Sequence, residues 1–227
     1  MPETEYVEIA RAESPRGEVV LRERRSAGAP TVLELRVNGV FVMDTLETTS
    51  ERALASIALA QVETPTSVLI GGLGLGFTLR EVLDDQRVER VTCVELEESL
   101  VGWTRDGTIA HGPALLADQR VELVNADVAQ VLTEASPGAF DLVLLDVDNG
   151  PDYLVHDANG ALYEAPLLAV AARATRQVLV VWSASESAEL KQAMTSACGN
   201  CEAHSYEVML GSRAETYWLY VSRIAGH

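Results

Sequence analysis

The chain has 227 residues, 48% of them apolar and 22% charged, with a formal net charge of −17 at pH 7. This composition fits one folded domain, or one domain with a small appendage, and excludes disorder throughout. The excess of 34 acids over 17 bases disfavours nucleic acid as a partner and favours cationic ligands, although acidity also serves solubility alone.

The first dozen residues are acidic and contain no apolar run, so we expect no signal peptide. No apolar run reaches the ~18 residues that a membrane span requires. Three cysteines, Cys93, Cys198 and Cys201, do not make a disulfide framework. We therefore expect a cytoplasmic protein without a membrane partner.

Residues 17–44 alternate between apolar and polar side chains, which predicts the strands of a small antiparallel sheet. Asn38 and Gly39 together are a strong hairpin signal, because both tolerate positive φ. Thr48, Thr49 and Ser50 are candidate N-caps for a helix over residues 52–61. The expected domains are a small N-terminal sheet at 1–47 and a larger unit at 48–227.

From residue 67 onward, short apolar runs alternate with helical stretches. The runs are residues 68–70, 91–94, 121–124, 142–145 and 178–181. Continuous β-branched runs are typical of buried parallel strands, and the connections are long enough for helices. The predicted fold is therefore an α/β, doubly wound, mostly parallel sheet with ligands at the carboxyl ends of its strands. Two further strands, near 202–209 and 215–222, predict a terminal antiparallel hairpin.

The glycine-rich segment 71–76 follows a predicted strand and opens a predicted helix over 77–83. Glycine permits a tight turn and a close backbone approach to a ligand. Glu95 follows Gly76 by 19 residues and ends the next strand, where a carboxylate can accept hydrogen bonds from two ribose hydroxyls. On this evidence alone NAD is one possible ligand.

Asp127 ends the third strand, where it can meet an adenine amino group or simply cap the following helix over 128–134. The two roles are compatible.

The fourth strand runs into Asp146, Asp148, Asn149 and Asp152. Like charges at short range raise one another's pKa, and such clusters commonly bind a cation or move protons. Between residues 121 and 172 there are nine acids and no Lys or Arg, which favours a positive ligand. A solvated acidic loop is the alternative.

Cys198 and Cys201 form one Cys-x-x-Cys pair near His204. A zinc site of this type needs a second pair, so we expect a helix-to-strand turn here and no metal.

Several motifs together resemble the spermidine synthases of the class I S-adenosylmethionine-dependent methyltransferase fold. They are Val-Leu-Ile-Gly-Gly-Leu-Gly-Leu-Gly at 68–76, Leu-Arg-Glu-Val-Leu at 79–83, Val-Thr-Cys-Val-Glu at 91–95, Asn-Ala-Asp at 125–127, Leu-Asp at 145–146 and Leu-Tyr-Glu at 162–164. The segment Val-Asn-Gly-Val at 37–40 stands at the family's Asp-Gly turn, so the resemblance covers most of the chain.

The resemblance implies a site for S-adenosylmethionine or its decarboxylated form. Gly72, Gly74 and Gly76 would line this site, Glu95 would hold the ribose, and Asp127 the adenine amino group. It also implies a homodimer that associates through the N-terminal sheets.

Asp146 matches the family acid beside the nucleophilic amine and the sulfonium, and its expected role is base or orienting group. Asp148 is expected to assist it. The expected substrate-binding residues are Asp152, Tyr153, Tyr163 and Trp182.

Three departures from the family pattern bear on the activity. Leu75 replaces the Asp that grips the aminopropyl ammonium, Asn149 replaces the second acid of the Asp-Ser-Ser-Asp loop or displaces it to Asp148, and Val42 replaces a glutamine. A buried ammonium against Leu75 would be unfavourable. The favoured function is therefore methyl transfer from a sulfonium cofactor to a small cationic amine. Aminopropyl transfer from decarboxylated S-adenosylmethionine and a non-catalytic binding protein are the alternatives.

Overall fold

A computed structural model describes residues 4–147, 163–211 and 213–225. The first four strands form an antiparallel sheet in the order β1-β2-β3-β4. The strands are β1 (Thr4–Ser14), β2 (Gly17–Ser26), β3 (Val32–Val37) and β4 (Val40–Asp44). The predicted hairpin between β3 and β4 is confirmed, because Asn38 and Gly39 both have positive φ, at 51° and 77°.

The larger sheet has seven strands in the order β10-β11-β9-β8-β5-β6-β7. They are β5 (Ser67–Gly71), β6 (Arg90–Glu95), β7 (Val121–Asn125), β8 (Phe140–Leu145), β9 (Thr175–Ser183), β10 (Glu202–Leu210) and β11 (Arg213–Arg223). Strands β5 to β9 are parallel, and β10 and β11 form the antiparallel terminal hairpin. The predicted α/β class, with a mostly parallel sheet and a small N-terminal antiparallel sheet, is confirmed.

Helices cover both faces of this sheet. They are α1 (Thr49–Leu59), α2 (Phe77–Asp84), α3 (Glu98–Asp106), α4 (Gly112–Leu116), α5 (Val128–Glu134), α6 (Ala165–Ala174) and α7 (Ala188–Cys198). One apolar cluster buries α1, α2 and α4 against the sheet, and a second buries α5, α6 and α7 against the opposite face. Strand β5 is buried at all five positions, which explains its continuous apolar sequence.

A third apolar cluster joins the N-terminal sheet to the larger sheet's helices and loops. Leu21 and Leu35 of the N-terminal sheet pack there with Leu75, Phe77 and Leu100. The N-terminal sheet therefore covers the region that follows the glycine turn. The division at residue 47 stays a prediction.

The described part of the chain contains no helix that is long and apolar enough to cross a membrane.

Candidate active site

The glycine turn connects β5 to α2 at the carboxyl edge of the sheet. Gly72, Gly74 and Gly76 all have positive φ, at 95°, 50° and 84°. A Cβ on Gly72 would lie 1.9 Å from the carbonyl oxygen of Asp146, and one on Gly74 would lie 2.6 Å from Sδ of Met43. Glycine is therefore required at these two positions both for backbone conformation and for the close approach of neighbouring protein atoms.

Glu95 ends β6 and holds the glycine turn in place. Its Oε2 accepts the backbone N–H of Leu73 at 2.9 Å, and its Oε1 accepts that of Glu97 at 2.8 Å. Glu95 is 7% exposed, and burial raises the pKa of its carboxyl, which the backbone N–H groups partly offset. Gly74 is a third backbone donor to this carboxylate. The carboxylate has about four acceptor positions in all, so capacity for one ribose hydroxyl remains. The geometry thus fits the predicted ligand, and the ribose role stays a prediction.

Asp127 is the N-cap of α5. Its Oδ1 accepts the backbone N–H of Ala129 at 2.8 Å, and the side chain is exposed. The N-cap part of the prediction is confirmed, and the adenine role stays a prediction.

Asp146 lies directly after β8, beside the glycine turn. Its backbone N–H donates to the carbonyl oxygen of Gly71 at 2.7 Å, and its Oδ2 lies 3.2 Å from Oγ1 of Thr78. Burial raises the pKa of Asp146 to about 6, the Thr78 hydroxyl lowers it, and the charge of Glu95 raises it further. A carboxyl with this pKa is mostly ionised at neutral pH and can still accept a proton.

Glu51 is a second acid at this site, and the sequence reasoning missed it. Burial raises its pKa to about 7, and the charge of Asp146 is the next cause. Oγ of Ser50 donates to its Oε2 at 2.9 Å. The neighbouring Arg52 pairs instead with Glu81, at 3.1 Å. An acid in the first turn of a helix is ordinarily explained by the helix dipole, so no sequence signal separates Glu51 from other such acids.

Thr78 connects the two acids. Its Oγ1 lies 3.2 Å from Oδ2 of Asp146 and 3.3 Å from the carbonyl oxygen of Glu51. A hydroxyl carries no positive charge, so Thr78 does not neutralise the two carboxylates. Two acids with raised pKa values at the carboxyl edge of the sheet make a site suited to a cation.

Two aromatic side chains lie on the α1 side of the sheet. The ring centroids of Trp182 and Tyr217 are 4.9 Å apart. Trp182 is 7% exposed, and its Nε1 has no hydrogen-bond partner among the described residues. Burial raises the pKa of Tyr217 to about 12, with the charge of Glu51 as the second cause. Trp182 therefore stays a candidate for the acceptor side of the site.

The structure does not bring Tyr163 together with Trp182. Tyr163 packs in the apolar cluster of α5, α6 and α7, on the opposite face of the sheet from Trp182. Side chains alternate between the two faces along β9, which places Trp182 on the α1 side, whereas Tyr163 just precedes α6 on the other side. The positions of the two aromatic residues in the sequence do not show this difference. Asp148, Asp152 and Tyr153, also predicted here, lie outside the described residues.

Leu75 lies in the third apolar cluster rather than in a polar pocket. It is 1% exposed and packs with Met43 and Phe77, and its carbonyl oxygen lies 2.5 Å from Nε2 of His111. An apolar side chain here is consistent with its surroundings, since the N-terminal sheet covers it.

The Cys-x-x-Cys segment forms the predicted turn. Helix α7 ends at Cys198, Gly199 has φ of 81°, and Cys201 precedes β10. Both thiols are free. Within the described ranges no group of three or more His, Cys, Asp or Glu side chains is arranged to hold a metal ion.

Comparison with known proteins gives a consistent family. The family model described as "Spermine/spermidine synthase domain" matches residues 47–217. A polyamine aminopropyltransferase from Oceanobacillus iheyensis is 37% identical over 92 residues, which are 40% of this chain and 18% of that protein. Putrescine N-methyltransferase 3 from Nicotiana tabacum is 31% identical over 134 residues, which are 59% of this chain and 34% of that protein. The matched stretches are thus a minor part of these curated relatives.

Solved structures agree on the fold. Spermidine synthase from Thermotoga maritima has a TM-score of 0.76 at 17% identity, covering 97% of this chain and 74% of that one. A spermidine synthase in complex with the transition-state analogue AdoDATO has a TM-score of 0.77 at 18% identity, covering 97% and 75%.

The comparisons do not support the preference for methyl transfer. The family model and the aminopropyltransferase relatives fit the aminopropyl alternative better, although putrescine N-methyltransferases also match. The preference rested on Leu75 and on the altered loop at 146–149, and these substituted positions are weaker evidence than a family match over most of the chain.

Proposed function

Because the chain belongs to the spermine/spermidine synthase family, we propose that it transfers an aminopropyl group from decarboxylated S-adenosylmethionine to a small amine of the polyamine class. The observation that supports this most is the pair of half-buried acids with raised pKa values, Asp146 and Glu51, at the carboxyl edge of the family's sheet. Among the described residues no Lys or Arg forms an ion pair with either carboxylate, and such a pair of carboxylates attracts a cationic amine and a sulfonium alike.

The chain's own residues have two tasks in the proposed reaction. The acceptor nitrogen attacks the carbon beside the sulfonium, the new C–N bond forms as the C–S bond breaks, and the bonding pair leaves with sulfur as a neutral thioether. Asp146 orients the amine and takes its proton, and Glu51 holds positive charge beside it. The donor supplies the electrophilic carbon.

The donor would be held by the glycine turn together with the residues at the carboxyl ends of β6 and β7. Gly72, Gly74 and Gly76 allow the turn to approach it, and Glu95 offers the remaining acceptor capacity of its carboxylate to the ribose. Asp127 would accept the adenine amino group. Each of these roles is a proposal.

A second candidate is methyl transfer from S-adenosylmethionine to a diamine. Leu75 specifically favours it, because it is buried among apolar side chains at the position where the family resemblance places an acid for the aminopropyl ammonium. Putrescine N-methyltransferases among the relatives are in keeping with this.

Incubation with putrescine and each donor in turn tests the proposal, with mass spectrometry of the amine product. An aminopropylated amine from the decarboxylated donor is the expected result. A methylated amine from S-adenosylmethionine alone would select the second candidate. Binding of donor without any product would favour a non-catalytic protein that retained the fold.

Two substitutions at Asp127 separate its cap from its proposed adenine contact. Asp127→Ser keeps an N-cap oxygen, so we expect a nearly unchanged free energy of unfolding and weaker binding of adenosine ligands. Asp127→Ala is expected to lose about 1 kcal/mol of stability as well. Urea unfolding and calorimetry with 5′-methylthioadenosine measure the two effects. Equal ligand affinity in Asp127→Ser and the wild type would contradict the adenine role.

We also propose that the chain forms a homodimer, that its two domains divide at residue 47 and that it is cytoplasmic. Light scattering of the purified protein tests the first of these.

A further inference from the structure

The tip of the first hairpin reaches the loop that follows β6. Nε of Arg16 donates to Oε1 of Glu97 at 2.6 Å, and its Nη2 donates to the carbonyl oxygen of Leu96 at 3.0 Å. The N–H of Glu97 in turn donates to Oε1 of Glu95. One arginine of the N-terminal sheet is thus two hydrogen bonds away from the acid that we propose for the ribose.

The hairpin that presents Arg16 is itself braced. Gly17 has φ of 118°, and a Cβ there would lie 1.8 Å from Oδ1 of Asn38. That oxygen accepts the N–H of Glu18 at 2.9 Å, and Nδ2 of Asn38 donates to the carbonyl oxygen of Arg16 at 3.3 Å. The N–H of Arg16 donates to Oγ of Ser14 at 3.1 Å. The turn between β3 and β4 therefore fixes the backbone that carries Arg16.

Polar contacts join the two parts at this point, beside the apolar packing of Val19 and Leu100. A cavity of about 520 Å³ lies between the hairpin and the start of α3, and its lining includes Ser14, Arg16, Glu97 and Ser99. Glu97 is 6% exposed, so its carboxylate needs a partner. The bond to Glu97 is the main cause of a raised Arg16 pKa, and the charges of Glu97 and Glu95 add to it.

We propose that Arg16 is a positioning residue for the donor, which fixes the loop at Leu96 and Glu97 so that the Glu95 carboxylate keeps the orientation needed for the ribose. The proposal rests on the proposed function for the role of Glu95. It gives the N-terminal sheet a part in donor binding. The hydrogen bonds of the Arg16 guanidinium go to Leu96 and Glu97 and not to Asp146, so we expect the step at Asp146 not to depend on it.

The test is donor binding by Arg16→Gln. Loss of two hydrogen bonds to charged or backbone acceptors is expected to weaken 5′-methylthioadenosine binding by about tenfold, measured by calorimetry. The KM for the donor should rise by a similar factor, with kcat and the KM for the amine unchanged. Arg16→Lys keeps the charge beside Glu97 but not the two-pronged contact, so an intermediate affinity is expected.

Arg25→Gln is the matched control, since Arg25 pairs with Glu23 on the exposed side of the same sheet. It should bind like the wild type. An affinity in Arg16→Gln equal to the wild type, or a fall in kcat with donor KM unchanged, would overturn the inference while leaving the proposed function intact. A wild type that binds neither 5′-methylthioadenosine nor either donor would overturn both. If Arg16→Gln unfolds, Arg16→Lys decides by the same measurements.

Discussion

Asparagine in place of Asp146 is expected to lower kcat by about 10²–10⁴-fold, the range that a positioned general base contributes. The amide keeps the size of the carboxyl and can still accept the Thr78 hydroxyl, which lies 3.2 Å from Oδ2. It cannot accept the proton of the attacking amine. The measurement is steady-state kcat with both substrates saturating, across pH 6 to 9.

Asp84→Asn is the matched control, since Asp84 is an exposed acid at the far end of α2, the helix that begins beside Asp146. It should leave kcat unchanged. If Asp146→Asn retains wild-type kcat at every pH, Asp146 has no role as base, and a water path must take the proton. A loss by the same factor at every pH would instead indicate that Asp146 only orients the amine, because the loss of a base matters less where the amine is already unprotonated.

The sequence predicts those parts of the fold that local burial determines. Strands β5 and β8 read as apolar runs because they are buried on both faces, and the cap at Asp127 is a local hydrogen bond. Strand β1 was missed. It is an edge strand with mostly exposed or half-buried side chains, so no apolar face marks it.

The candidate site is predictable where a motif, or a regular spacing between two motifs, marks it. The glycine turn lies within one motif, and Glu95, which accepts the N–H of Leu73 from 22 positions away, is marked by its spacing from that turn. The Arg16–Glu97 pair joins residues 81 positions apart, and the exposure of Glu51 depends on how α1 packs against the sheet. Neither the ion pair nor the burial of Glu51 can be recognised from neighbouring residues in the sequence, because the burial of a charged side chain depends on the elements packed around it.

Leu75 shows the limit of reading function from one substituted position. Compared with the family motif, Leu75 stands where the family has an aspartate, so a carboxylate is missing. In the structure it is a core residue that packs against the N-terminal sheet. The same side chain thus has a structural explanation, and only the donor assay separates this from a change of substrate.

Glu51→Gln is expected to stabilise the protein at pH 8 by up to about 3 kcal/mol, since a pKa raised from 4.5 to about 7 means that ionisation opposes folding. The folded state binds this proton more tightly than the unfolded state does. The associated stability is therefore complete below about pH 4 and is lost as pH rises towards 7. Asp146, raised to about 6, contributes with the same sign.

Urea unfolding at pH 5 and pH 8 measures the effect. The wild type should lose stability between these values, and Glu51→Gln should lose less. Glu63→Gln is the control, because Glu63 is exposed and lies just beyond α1. Equal pH dependence in Glu51→Gln and the wild type would show that Glu51 ionises normally and is no part of a charged site.

The Glu51→Gln variant also tests whether Glu51 binds the amine substrate or is an acid that is only partly buried. If Glu51 holds an amine, a diamine such as putrescine must favour its ionised form, and binding returns the stability that ionisation removes. Putrescine at pH 8 should then raise the unfolding midpoint of the wild type more than that of Glu51→Gln, with the difference vanishing at pH 5, where Glu51 is protonated. An equal rise in both proteins at both pH values would place the amine elsewhere and leave Asp146 as the only acid of the acceptor site among the described residues.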